Sequence, residues 1–184
     1  LEINVVGDIE YKQVETLVGK YIGPLERDRA EQSLSEKVSF PSGEKLKADV
    51  ATQINKGLVV VAWPTDDFWD ISRTRRINVL SSILDDRLRL EIREKMGAVY
   101  SPAVYNMSSR VAPGYGVLRA VLTVDPDQAA AFVDRVREVG RGLAAGGITG
   151  EELNRALEPT LTSIKDMIRT NRYWIQSVMS LSSR

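Results

Sequence analysis

Leu1, Ile3 and Val5 alternate with Glu2 and Asn4, and Gly7-Asp8 closes the run. A period of two predicts a short β-strand. Tyr11, Val14, Leu17, Val18 and Tyr21 then recur at helical spacing, with Asp8 placed to cap the helix and Gly23-Pro24 to end it. Residues 25–35 are charged and aperiodic, which predicts a solvated connection. Residues 44–54 read as a moderately polar strand. Leu58-Val59-Val60-Val61-Ala62-Trp63 is an unbroken apolar run that predicts a central strand covered on both faces and stopped by Pro64.

The strongest helix signal follows the loop Thr65-Asp66-Asp67. Leu80, Leu84, Leu88, Ile92 and Met96 fall at intervals of four and form one ridge that must face a core, with Gly97 fitting the position after the last turn. Residues 99–107 and 115–124 predict two strands joined through Ala112-Pro113-Gly114. In the second, Leu118, Ala120, Leu122 and Val124 share a face. Pro102 places the first of them where a ladder hydrogen bond is dispensable. Asp125-Pro126 reads as cap and first-turn proline of a helix that turns Phe132, Val133, Val136, Val139 and Leu143 inward and ends at Gly146-Gly147. Thr149 and Glu152 form a capping box for a last long helix with Leu153, Leu157, Leu161, Ile164 and Ile168 inward. Pro159 lies inside that helix and is expected to bend it rather than end it, and residues 171–174 predict a break before a final helical stretch.

This order of elements predicts an α+β domain, an open and mostly antiparallel sheet with helices packed on one face. The chain has 184 residues, of which 43% are hydrophobic and 27% charged, a composition that fits one globular domain over 1–184. It starts at Leu1, directly in a strand pattern, so it reads as a fragment of a longer polypeptide. No apolar run approaches the roughly 18 residues of a membrane span, and no signal sequence opens the chain.

Charge and residue types narrow the chemistry. Twenty-five Lys and Arg balance 25 Asp and Glu, so there is no electrostatic footprint for nucleic acid. Histidine and cysteine are absent. A Ser-His-Asp triad, a Cys-His dyad and a histidine-ligated zinc are therefore excluded within this chain. Asp66-Asp67 falls in a loop and Asp85-Asp86 on a helix, where sequence neighbours point about 100° apart, so neither pair converges on a site and both read as solvated surface. Gly114-Tyr115-Gly116 and Gly146-Gly147 lack phosphate-loop spacing and read as turns.

What remains is the corner between the long helix and the following strand, with Arg93 in the last helical turns and Tyr100 at the strand's start. On the residues alone two readings stand. An arginine near a helix C-terminus answers the macrodipole and a strand tyrosine edges a core, or the two side chains converge on one side of the corner as a site.

The run R-E-K-x-G-x-x-Y-S over 93–101 resembles the signature of the C-terminal domains of the pitrilysin/insulinase zinc peptidases, the inverzincins whose metal motif is H-x-x-E-H. The likeness extends to Val5-Val6-Gly7-Asp8-Ile9, to Lys20-Tyr21-Ile22-Gly23-Pro24-Leu25, to Ile83-Leu84 with Arg87-Leu88, and to Gly147-Ile148-Thr149 with Glu151-Glu152-Leu153. It is nearest in character to the exported bacterial zinc proteases of that family. The resemblance implies the LuxS/mitochondrial-processing-peptidase-like metallohydrolase fold and a clam-shell enzyme closing around an unfolded peptide. It implies that zinc is held by an N-terminal domain of the same polypeptide or by a partner subunit, and that none is bound by this fragment. It also implies that Arg93 and Tyr100 hydrogen-bond the substrate backbone near the scissile carbonyl. There a guanidinium or phenol donor stabilises charge that develops only in the transition state, an effect of about 3 kcal/mol per donor. The alternative within the same fold is a non-catalytic pseudo-peptidase or a structural, peptide-binding subunit. A generic α+β interaction domain is the third reading.

Overall fold

A computed structural model describes residues 3–25, 38–96 and 102–178, with backbone alone for 93–96 and 178. Along the chain run α1 (Tyr11–Tyr21), β1 (Gly57–Thr65), α2 (Ile71–Met96), β2 (Ala103–Ser108), β3 (Gly116–Val124), a 3-10 turn (Pro126–Gln128), α3 (Ala129–Gly146), α4 (Gly150–Met167) and α5 (Asn171–Val178). Contacts divide the chain into two compact units, Glu36–Leu157 on the one hand and Leu1–Ser35 with Glu158–Arg184 on the other.

The first of these units holds the sheet, which is antiparallel throughout with strand order β1-β3-β2. The alternation in β3 does what the pattern requires, because Leu118, Ala120, Leu122 and Val124 are all buried on one face. The register sets Val61 and Val104 on either side of Ala120, which extends that face across three strands. Helices α2 and α3 pack onto it, α2 along β2 and α3 along β1. Four residues of the α2 ridge enter the core as expected, with Leu84, Leu88 and Ile92 buried and Leu80 half-buried against them, and the side chain of Met96 lies outside the described residues. From α3 come Phe132, Val136 and Leu143. The result is the α+β architecture with helices on one face of an open sheet.

The helix ends follow local chemistry. Asp70 caps α2, its Oδ1 accepting the amide of Arg73 at 2.9 Å, a role the charge-rich loop did not advertise. Gly147 closes α3 at φ 69°, a left-handed conformation that glycine adopts without a Cβ clash. The capping box is complete. The amide of Thr149 donates to Glu152 Oε2 at 2.8 Å while the amide of Glu152 donates to Thr149 Oγ1 at 3.2 Å.

Several expectations are corrected. Residues 44–54 form no strand although they alternate, and of the strand expected from Leu1 to Val5 residues 3–5 form none, the first two lying outside the described residues. Leu46, Val50 and Ile54 stay exposed because no neighbouring strand gives their face a core to meet. Among the described residues β1 is an edge of the three-stranded sheet rather than its centre, and Leu58 and Val60 face outward, exposed. Pro64 lies within β1 and does not stop it, since an edge strand tolerates a residue without an amide hydrogen. Neither Asp8 nor Asp125 caps a helix through its side chain. α1 begins after Glu10, and Asp125 precedes the 3-10 turn without a cap bond.

In the second unit α1 buries none of its residues, and α5 is tied back by the Trp174 indole, whose Nε1 donates to the carbonyl of Ile168 at 2.7 Å. α4 starts in the first unit, crosses into the second after Leu157 and passes through Pro159 without ending. Its periodic apolar set is buried less than the spacing suggests. Ala156 is its buried residue, while Leu161 and Ile168 are exposed.

Candidate functional site

Helix α2 is fastened along its length before it reaches Arg93. Asp85 Oδ1 accepts the backbone amide of Val104 in β2 at 3.0 Å, and the same carboxylate pairs with Arg89. Asp85 therefore joins α2 to the outer edge of the sheet, which corrects its reading as solvated surface. Four residues would complete one more turn, and Arg87 within that turn makes the next bond. Its Nε and Nη2 donate to Glu152 at 2.6 and 2.9 Å, and Nη2 also donates to the carbonyl of Gly147 at 2.8 Å. A planar guanidinium suits this fork, because it meets both carboxylate oxygens in parallel and still has a donor for the carbonyl that closes α3. Further along, Glu91 pairs with Arg135 of α3.

The electrostatics follow from these contacts. The Arg87 hydrogen bond, then the Thr149 amide, hold the Glu152 carboxyl down to about 2. The same contact raises Arg87 above its ordinary value. A carboxyl depressed on folding stabilises the fold fully above its ordinary value near 4.5, and that contribution fades as pH falls toward about 2. We expect the stability gap between the native chain and Glu152→Gln, measured by urea unfolding, to shrink steadily between about pH 5 and about pH 2. A gap that stays constant over that range would locate the acid response elsewhere.

Asp67 is a second carboxylate that the sequence placed in solvent and the structure puts to use. Its Oδ2 accepts the amide of Gly114 at 2.7 Å and its Oδ1 that of Trp69 at 3.0 Å. Those two amides lower its pKa, the Gly114 bond first. This carboxylate brackets the loop between β1 and α2 to the β2–β3 turn, where Phe68 N also donates to Ser109 O at 2.8 Å. Gly116 makes the approach possible. A Cβ there would lie 2.1 Å from the carbonyl oxygen of Asp66.

Of the two predicted site residues, Arg93 has its backbone in the last turns of α2, immediately after buried Ile92. Tyr100 lies outside the described residues, as do Gly97 and the start of the strand expected at 99. Described structure resumes at buried Pro102 and β2. What sequence reasoning missed is the support beneath the corner: Asp85, Arg87 and the Glu91–Arg135 pair. Only the i, i+4 spacing of Asp85 and Arg89 was visible in one dimension.

The donor set does not fit a resident zinc ion. The chain offers neither imidazole nor thiolate, and among the described residues no three carboxylates converge. No helix of the described residues is long and apolar enough to cross a membrane.

The stromal processing peptidase of pea chloroplasts (Pisum sativum) is 32% identical over 108 residues, which are 58% of this chain and 8% of that protein. The chloroplast stromal processing peptidase of rice (Oryza sativa subsp. indica) is 22% identical over an alignment that covers all of this chain and 18% of the rice protein. The chain thus spans less than a fifth of these relatives. Among solved structures, the crystal structure of the periplasmic protease PqqL from Escherichia coli matches with a TM-score of 0.73 over 96% of this chain and 20% of that one. At 16% identity it establishes the fold. The sequence profile of the peptidase M16 inactive domain matches residues 1–159, and the chain belongs to that family as a pitrilysin-type C-terminal domain.

Proposed function

We propose that this chain is the substrate-binding C-terminal domain of a zinc metalloendopeptidase that cleaves unfolded peptides, residues 1–184 acting as one domain of a longer protein. The observation that carries the reading is the family match over residues 1–159, which contains the whole R-E-K-x-G-x-x-Y-S run. Zinc belongs to an N-terminal domain of the same polypeptide or to a partner subunit, where it supplies the hydrolytic chemistry. This chain contributes hydrogen-bond donors. Arg93 binds the substrate backbone with a guanidinium that stays charged at any working pH, and Tyr100 aims a neutral phenol at the carbonyl being attacked. The anchoring of α2 through Asp85, Arg87 and Glu91 supports the assignment, because a donor helps a transition state only when its backbone is held in place beforehand.

The division of labour is testable directly. The isolated 184-residue chain, dialysed and analysed for metal, is expected to retain no stoichiometric zinc and to leave an unfolded casein substrate intact. The longer protein is expected to digest it and to stop when chelated. Turnover by the isolated chain would overturn the assignment of halves. A longer protein that binds casein without cutting it would return the chain to the pseudo-peptidase reading.

A further inference from the structure

Among the described residues two side-chain hydrogen bonds join α2 to β2. Asn106 Nδ2 donates to Asn78 Oδ1 at 2.8 Å, and the Val104 amide donates to Asp85 Oδ1 at 3.0 Å. The later helix residue holds the earlier strand residue, so α2 and β2 run past each other in opposite directions. Asp85 is the tie nearer the helix end that carries Arg93. Its side chain is only 19% exposed, and the strand it holds is an outer one of the described sheet. Asp86, one residue on, reaches Arg155 of α4 at 3.8 Å instead.

The apolar ridge presses α2 onto the sheet without setting its register. Burial is non-directional, so Leu84, Leu88 and Ile92 let the helix roll or tilt slightly at little cost. A carboxylate that accepts an amide is directional, because a hydrogen bond weakens steeply with angle. Arg87 and Glu91 tie α2 to the α3–α4 turn and to α3, which leaves its place on β2 to Asn78 and Asp85. Arg93 lies eight residues beyond Asp85, about 12 Å along the helix. A tilt of about 5° at Asp85 therefore moves the Arg93 backbone by about 1 Å, an error that can cost a positioned group about 10²-fold in rate.

We propose that Asp85 is a positioning residue for peptide cleavage: its bond to the Val104 amide fixes α2 on β2 and so sets where Arg93 meets the substrate backbone. Asp85 touches no substrate itself. The inference rests on the reading of Arg93 as a substrate-binding residue under the proposed function.

The test is steady-state cleavage of a fluorescent casein peptide by the longer protein, with rates taken per folded molecule from circular dichroism. Asp85→Leu is expected to lower kcat/KM about tenfold, and Asp86→Leu to change it less than about twofold. Asp85→Asn keeps an acceptor oxygen for the amide while giving up the charge that pairs with Arg89, and should return to within about threefold of the native rate. The deciding measurement repeats Asp85→Leu in an Arg93→Ala background. A residue that acts through Arg93 has little left to lose there, so the further drop should stay below about twofold. The same factor in both backgrounds, or no loss in the native one, overturns the inference and leaves Asp85 as a fastener of the fold. If Asp85→Leu does not fold, Val104→Pro deletes the donor instead, on an outer strand where an amide off the ladder is dispensable. Failure of both to fold also overturns it. Arg93→Ala by itself keeps the two proposals apart: a slowed Arg93→Ala with equal Asp85→Leu factors sinks the positioning role alone, and an Arg93→Ala as fast as the native protein sinks the substrate-binding reading and the positioning role with it.

Discussion

Leu88→Ala is expected to lower the unfolding free energy by about 2 to 5 kcal/mol, with Leu84→Ala close behind. Leu88 has 0% of its surface exposed and sits where the α2 ridge meets the inner face of the sheet. Truncation removes the transfer free energy of three carbons and leaves a void that a helix fastened at Asp85 and Arg87 cannot collapse to fill. Because a domain of this size is stable by only about 5 to 15 kcal/mol, such a loss shows as a large shift in the urea midpoint. Leu90→Ala on the same helix is the control. Its side chain is exposed, and its loss should stay below about 1 kcal/mol. Losses under about 1 kcal/mol at both Leu84 and Leu88 would mean that another face of α2 is the buried one.

That ridge was legible in the sequence because five residues at one spacing can face one way on a helix and no other. β3 was legible for the same reason: its alternation leaves Leu118, Ala120, Leu122 and Val124 no face but the core. Thr149 and Glu152 could be read three residues apart because a capping box is a local device, complete within one turn. Where the reading depended on a distant partner, it failed. The alternation of 44–54 is as regular as that of β3, but a strand is defined by the ladder beside it, and none forms there. The apolar run of β1 promised cover on both faces. Sequence cannot distinguish a strand covered on both faces from one with a face left open, and Leu58 and Val60 stand exposed on the open face of β1.

The polar residues show the same limit from the other side. Asp67, Asp85 and Glu152 are three carboxylates of similar local context, each in an adjacent acidic pair. Only their spatial partners, the amides of Gly114 and Val104 and the fork of Arg87, turn them into fasteners. Each contact is modest alone, so their use here is geometric: Asp85 and Glu152 hold α2 to β2 and to the α3–α4 turn, and Asp67 holds the β1–α2 loop to the β2–β3 turn. The capping box carries that consequence furthest. Glu152 serves its own helix terminus and receives Arg87 at once, so one side chain links the α3–α4 turn to α2.

Under the proposed function, the end of α2 is where that rigidity is used, and Tyr100→Phe is expected to lower kcat/KM of the longer protein toward an unfolded peptide by about 10²-fold or more. The substitution deletes one hydroxyl and keeps the ring, so thermal unfolding should be nearly unchanged. Loss of a donor aimed at charge that develops during the reaction falls on kcat, because the ground-state carbonyl asks less of it than the oxyanion does. Arg93→Ala should lose a comparable factor with a larger share in KM, since a guanidinium that holds the peptide backbone acts before the reaction as well as during it. Arg93→Lys is the informative companion: it preserves the charge but not the planar fork, so recovery of less than half the lost activity would indicate directional hydrogen bonding rather than general attraction. A Tyr100→Phe enzyme as fast as the native one, in a protein that does cleave peptides, would remove the phenol from the mechanism and leave Tyr100 as a residue of the fold.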